Sequence, residues 1–113
     1  MQTNDAIKAL GALAQEARLG IFRMLVQAGP EGLPAGEIAG RMGLAAPAAS
    51  FHLAQLARAG LARSRSQGRF VIYSADFERM TALVAFLTEN CCGGKPCGPV
   101  SVACSPARKG TKR

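Results

Sequence analysis

Apolar residues recur along this chain with two different periods. Ile7, Leu10 and Leu13 fall three apart on one stripe, which predicts a short helix capped by Asn4 or Asp5. Leu19, Phe22, Leu25 and Val26 carry the helical period onward until Ala28-Gly29-Pro30, where glycine supplies a stop and proline forbids continuation. After a Pro30-Glu31-Gly32 turn, Ile38 and Met42 mark a short third helix that closes at Gly43. A fourth helix is expected at about 46–59, with Pro47 near its first turn, where a missing N–H is harmless, and Gly60 as its stop. On a helical wheel Ala49, Leu53, Leu56 and Gly60 share one side. Ala48, Phe51, Gln55 and Arg58 occupy the other, with Pro47 and His52 flanking them. Two helices joined through a short glycine-containing turn predict a helix-turn-helix.

The period then changes. Residues 61–66 and 69–75 read as two strands across a Gln67-Gly68 turn, the second rich in the β-formers Phe70, Val71, Ile72 and Tyr73. Asp76 is placed to cap a last helix whose Phe77, Met80, Val84 and Leu87 form an apolar face widened by Leu83 and Phe86. That face exceeds what one small domain can cover, so part of it is expected to bury against a second copy of the chain. The order of elements predicts a mainly α fold with a small β-hairpin, a winged helix-turn-helix dimerising through its terminal helices. The expected division is a DNA-binding and dimerisation domain over 1–90 and a separate tail over 91–113. The tail holds all four cysteines, four glycines, three prolines and five basic residues but no acid, a composition poorly suited to a packed core.

Composition narrows the function. With 113 residues there is room for one domain only, and its 14 Lys and Arg against 7 Asp and Glu give a formal charge of +7. One histidine, one tyrosine and no tryptophan leave little for acid–base or triad chemistry, so an enzyme is not expected. The apolar runs fall far short of the ~20 residues a membrane span needs. The opening Met-Gln-Thr-Asn-Asp lacks the charged and apolar regions of a signal peptide, which points to the reducing cytoplasm and to cysteines held as thiols. Residues 38–75 contain no acid and five arginines, Arg41, Arg58, Arg63, Arg65 and Arg69. This stretch holds both the second helix of the helix-turn-helix and the wing, so its charge is suited to phosphates and to double-stranded DNA as partner.

Three segments carry a family resemblance. Ala12-Leu13-Ala14-Gln15-Glu16-Ala17-Arg18-Leu19-Gly20-Ile21-Phe22 resembles the "ALA-x-x-x-R-L-x-I" opening of ArsR/SmtB-type metalloregulatory repressors. Ser50-Phe51-His52-Leu53-Ala54-Gln55-Leu56 resembles their "S-x-H-L-x-x-L" recognition helix, and Gly68-Arg69-Phe70-Val71-Ile72-Tyr73 their wing. The resemblance covers about residues 5–90 and implies a homodimeric repressor that binds operator DNA.

The DNA-facing candidates are Pro47, Ala48, Ser50, Phe51, His52, Gln55 and Arg58 on the helix, with Arg63, Arg65 and Arg69 on the wing. Ser50 and Gln55 can bond phosphates or base edges, and Arg58 is better placed to hold the backbone. Phe51 can meet a thymine methyl or fold back on the preceding helix; His52 can lie at the DNA or bond a neighbouring carbonyl. The wing arginines suit a phosphate grip or a minor groove. Paired recognition helices predict an imperfect inverted repeat, with half-sites ~34–36 Å apart.

Cys91-Cys92-Gly93-Gly94-Lys95-Pro96-Cys97 follows the last helix, and its glycines permit a reversal that returns Cys97 toward the vicinal pair. Lys95 favours thiolate, and soft thiolates select soft ions. Three sulfurs with no convenient histidine or carboxylate suit As(III) or Sb(III) as inducer, held by Cys91, Cys92 and Cys97. A zinc site would want four ligands, usually with C-x2-4-C spacing. Cys104 is left outside the set. The resemblance supports the same choice: 33–39 lacks the C-V-C motif of some arsenic-sensing members, whereas others bind As(III) through a vicinal pair and a third cysteine after the last helix. A thiol redox switch and a zinc-responsive regulator of the same fold are the alternatives.

Overall fold

The computed structural model describes residues 1–94. Five helices and three strands follow in the order α1 (Thr3–Leu13), α2 (Glu16–Ala28), β1 (Leu33–Pro34), α3 (Ala35–Met42), α4 (Ala46–Arg58), β2 (Ala62–Gln67), β3 (Phe70–Ala75) and α5 (Phe77–Leu87). A 3₁₀ turn at Cys91–Gly94 follows. The elements match the expected order, with differences at their ends that have local causes.

Neither Asn4 nor Asp5 is the cap of α1. That helix starts one turn earlier, with Gln2 at the cap position and the Asp5 carboxylate accepting a bond from the Gln2 amide at 3.3 Å. Asp5 therefore serves inside the first turn, where an acid also complements the helix dipole. Likewise α2 begins at Glu16 because the Gln15 side-chain oxygen accepts from the Arg18 amide at 3.0 Å, a cap that apolar spacing does not reveal. Its far end follows expectation: Gly29 adopts φ 83°, and its amide closes on the Leu25 and Val26 carbonyls.

The sheet is antiparallel with order β1-β3-β2. The hairpin pairs Ala62 with Ala75 through to Gln67 with Phe70, so the connection is Gly68-Arg69 rather than Gln67-Gly68. Gly68 supplies the positive φ of 63° that such a short reversal needs. The third strand was not foreseen. Leu33 and Pro34 pair with Tyr73 and Ile72, at an edge where a proline without a donor is tolerated. Gly32 makes this approach possible: its φ is 74°, and a Cβ there would lie 2.2 Å from the Tyr73 carbonyl oxygen.

Each of the five α-helices sends apolar residues into one core. Ile21 and Leu25 from α2, Ile38 from α3, Leu53 and Leu56 from α4, and Leu61 beside β2 are fully buried, with Phe22, Leu83 and several alanines around them. No charged or polar residue is buried among the described residues. Small residues set the close spacing of α2 and α3: a Cβ on Gly20 would come within 3.1 Å of the Met42 methyl. Not all apolar surface is used. Ile7, Leu10, Val84 and Leu87 on the adjoining helices α1 and α5 remain exposed, Ile7 at 60% and Leu87 at 58%. Among the described residues no helix is long and apolar enough to cross a membrane.

Candidate nucleic-acid interface and thiol pair

The turn between α3 and α4 is fixed by Gly43, which ends α3 in the left-handed conformation (φ 67°, ψ 31°). Its amide bonds the Gly40 carbonyl, and the Leu44 amide reaches the Ala39 carbonyl at 3.0 Å. This double closure satisfies helix-end carbonyls and reverses the chain in few residues. Pro47 then occupies the first turn of α4, where no amide partner is lost.

Helix α4 is held by one face and offers the other. Ala49, Leu53 and Leu56 are buried, whereas Pro47, Ser50, Phe51 and Arg58 are exposed and Ala48, His52 and Gln55 are half-buried. Phe51 is 56% exposed, so its ring faces solvent rather than the core, and it stands edge-on to the His52 ring at a centroid distance of 5.7 Å. His52 bonds neither a carbonyl nor solvent alone. Its Nδ1 lies 3.2 Å from Nη1 of Arg18, whose Nε donates to the Ala12 carbonyl at 2.8 Å. A guanidinium has donors only, so Nδ1 is the acceptor in this contact. Arg18 was part of the family motif, but its tie to the recognition helix spans 34 residues and left no trace in local spacing.

The wing separates its arginines into two groups. Arg63 donates to the Asp76 carboxylate at 3.1 Å and lies 3.7 Å from Glu78, while Arg65 donates to the Glu31 carbonyl at 2.9 Å. Both brace the base of the hairpin. Arg69 sits in the tip with no side-chain partner among the described residues, next to Phe70, which is 62% exposed. The alternation of β3 buries Ile72 but leaves Phe70 outside, because the tip extends past the helices that form the core. Asp76 joins wing to α5. Burial opposes its charge, but the Arg79 amide and the Arg63 and Arg79 guanidiniums outweigh that and hold its carboxyl below the ordinary value.

The chain leaves α5 through Thr88, whose hydroxyl bonds the Val84 carbonyl, and then turns sharply. Asn90 and Cys92 both have positive φ, 56° and 55°, and this folds the vicinal cysteines onto one side. The two Sγ atoms are 3.8 Å apart, Cys91 half-buried and Cys92 exposed. Two sulfurs each ~2.3 Å from one soft ion can be no more than ~4.6 Å apart, so this pair fits a shared ion. Cys97 and Cys104 lie outside the described residues, and among the described ones no group of three metal-ligating side chains gathers.

Comparison with known proteins follows the same lines. A family model described as a helix-turn-helix domain matches residues 13–65. The chain is 34% identical over 94 residues to the transcriptional activator HlyU of Vibrio cholerae, covering 81% of this chain and 84% of the relative. The solved HlyU structure gives a TM-score of 0.62 over 81% of this chain and 99% of that one. An ArsR-like transcriptional regulator from Rhodococcus is 26% identical, with a TM-score of 0.66 over 74% and 76% of the two chains. A homodimeric winged helix-turn-helix DNA-binding domain from Mycobacterium bovis is 26% identical, with a TM-score of 0.61 over 84% and 88%. A recognition helix held by its apolar face, a wing braced at its base and these likenesses together place the chain in one group: it belongs to the ArsR-like family of winged helix-turn-helix transcriptional regulators.

Proposed function

We propose that the chain is a homodimeric repressor of operator DNA, released when Cys91, Cys92 and Cys97 capture As(III) or Sb(III). The observation that carries this reading is the vicinal thiol pair, 3.8 Å between sulfurs, set immediately after the helix that displays Val84 and Leu87 to a partner. A soft ion drawn to these sulfurs acts on the end of α5. If α5 forms part of the dimer contact, the same event changes the angle between the two recognition helices, and a dimer that cannot span both half-sites leaves its operator. The operator is read by Ser50, Phe51, His52 and Gln55, with Pro47 and Ala48 at the leading end of α4 and Arg58 and Arg69 on phosphates. Arg63 and Arg65 contribute mainly by stiffening the wing. A coupling of ~1–3 kcal/mol would weaken DNA binding ~5–150-fold, and DNA would weaken metalloid binding by the same factor.

HlyU is named an activator, so the sign of regulation belongs to the test. Reduced full-length protein is titrated onto fluorescently labelled DNA from its own upstream region at fixed salt, with arsenite, zinc or peroxide added in parallel. Release by arsenite at low equivalents with zinc silent is the expected result, and Cys91→Ser, Cys92→Ser and Cys97→Ser each keep DNA binding but lose release. Full arsenite response in Cys97→Ser overturns the three-thiol site. Release by peroxide alone turns the pair into a redox switch, which its adjacent thiols also suit. Release by zinc alone makes it a zinc sensor, and transcription in vitro decides between repression and activation.

A further inference from the structure

A second charged feature lies on the flank of α4, away from the thiols. Helices α1, α2 and α4 border an open cleft of about 550 Å³ lined by Lys8, Gly11, Ala12, Arg18, Gln55, Arg58 and Ala59. Three of its residues are cations and none is an acid. Three arginines elsewhere are paired with acids, Arg41 with Glu37, Arg63 with Asp76 and Arg79 with Asp5. Here Lys8, Arg58 and the Gln55 amide have no side-chain partner among the described residues. Arg18 is different in kind, because its Nε and Nη1 are spent on the Ala12 carbonyl and His52, which fixes the guanidinium plane and leaves Nη2 without a partner among the described residues. A fixed planar donor between two mobile cations, with an amide beside them, matches a tetrahedral oxyanion better than an apolar ligand or a metal cation.

We infer that this cleft is a phosphate-binding site formed by Lys8, Arg18, Gln55 and Arg58, and that the phosphate comes from the DNA backbone. The source rests on the DNA reading above; the phosphate chemistry does not. Occupancy would extend the footprint from α4 onto α1, a helix that the sequence offered only as a dimer contact. It would also tie backbone contact to His52, since the Arg18 side chain that faces the phosphate holds the imidazole ring.

Two variants of the full chain test the site without removing Arg18, whose loss could disturb packing. Lys8→Gln deletes one exposed charge. Gly11→Leu adds bulk at the cleft lining without changing charge; a Cβ at Gly11 meets nothing within 4 Å, and leucine favours a helix over glycine. DNA affinity is measured against salt concentration on operator and unrelated DNA. Inorganic phosphate is titrated separately at constant ionic strength, with chloride as control and the Gly11 and Gln55 amide resonances as readout. The expected result is a salt slope lower by about 0.9 per protomer in Lys8→Gln, with equal weakening on both DNAs. Unchanged slopes, with phosphate shifting the two amides in the parent chain but not in Gly11→Leu, support the site with a free phosphorylated ligand as its source. Unchanged slopes and no phosphate shift overturn it. If the parent chain binds no DNA, the functional reading fails by itself, and the phosphate titration still decides the cleft.

Discussion

Asp76 is one residue with two partners, and its neighbours decide its charge. Its carboxylate caps α5 through the Arg79 amide at 3.0 Å and accepts from Arg63 on β2 at 3.1 Å. Burial raises its pKa, but the amide and the two guanidiniums lower it further, so the folded-state value lies below the unfolded one. The ionised group therefore contributes stability that is present in full above the unfolded pKa and is lost as pH falls through the folded pKa. Asp76→Ala is expected to cost ~1 kcal/mol through the lost cap, which for a domain of this size lowers Tm by ~4–8 °C. Asp76→Asn keeps a capping oxygen but not the charge. Its deficit against the parent should be measurable near neutral pH and close in acid below the ordinary carboxylate range; thermal melts across that window decide, and a deficit independent of pH would falsify the ionic contribution. The cap was legible in the sequence because Asp76 stands directly before an apolar helix. The Arg18–His52 contact was not, since nothing local marks two residues that meet only after α2 and α4 have packed.

At the scale of elements, α4 shows how burial and function divide one helix. Leu53→Ala removes a fully buried side chain from the centre of the core and should destabilise by ~2–5 kcal/mol. Phe51→Ala, two positions earlier, changes a side chain that is 56% exposed and should leave stability within about 0.5 kcal/mol while weakening operator binding. Chemical denaturation and anisotropy measured on the same two variants separate these effects; a large stability loss in Phe51→Ala would show the ring is packed. The helical period identified both faces. In the wing the alternation was also readable, but the uses of its arginines were not. Arg63 and Arg65, two apart on β2, share one strand face, yet their partners Asp76 and Glu31 come from other segments, and among the described wing arginines Arg69 is the one left for a ligand at the tip.

At the scale of the whole molecule, apolar side chains on α1 and α5 stay exposed among the described residues. Ile7 and Leu10 on α1 and Val84 and Leu87 on α5 are exposed on two helices that touch each other, and burying such side chains is worth ~1.5–3 kcal/mol each when complete. The M. bovis neighbour is a homodimer, and a second copy is the expected cover for these residues. Leu87→Glu places a charge at a position 58% exposed in the monomer, so the fold should survive while the dimer dissociates. Sedimentation velocity should report a monomer, and operator affinity should fall because a lone recognition helix engages one half-site. A dimer that persists in Leu87→Glu places the subunit contact elsewhere.

Sequence by itself determined the five helices, the hairpin and their order, the inward face of α4, the basic stretch over 38–75 and the position of the thiols beyond the last helix, but not the inward face of α1, where Ala6 and Ala9 are buried and Ile7 and Leu10 are exposed. These are properties of nearest neighbours along the chain: periodicity, turn residues and charge, all of which act within a few residues. Tertiary structure alone decided the pairing of Leu33 and Pro34 with β3, the outward turn of Phe51, the hold of Arg18 on His52 and the gathering of Lys8, Arg18 and Arg58 around one cleft. Each depends on groups brought together from distant segments, where packing geometry rather than local preference fixes which side chains meet and which remain open to a ligand.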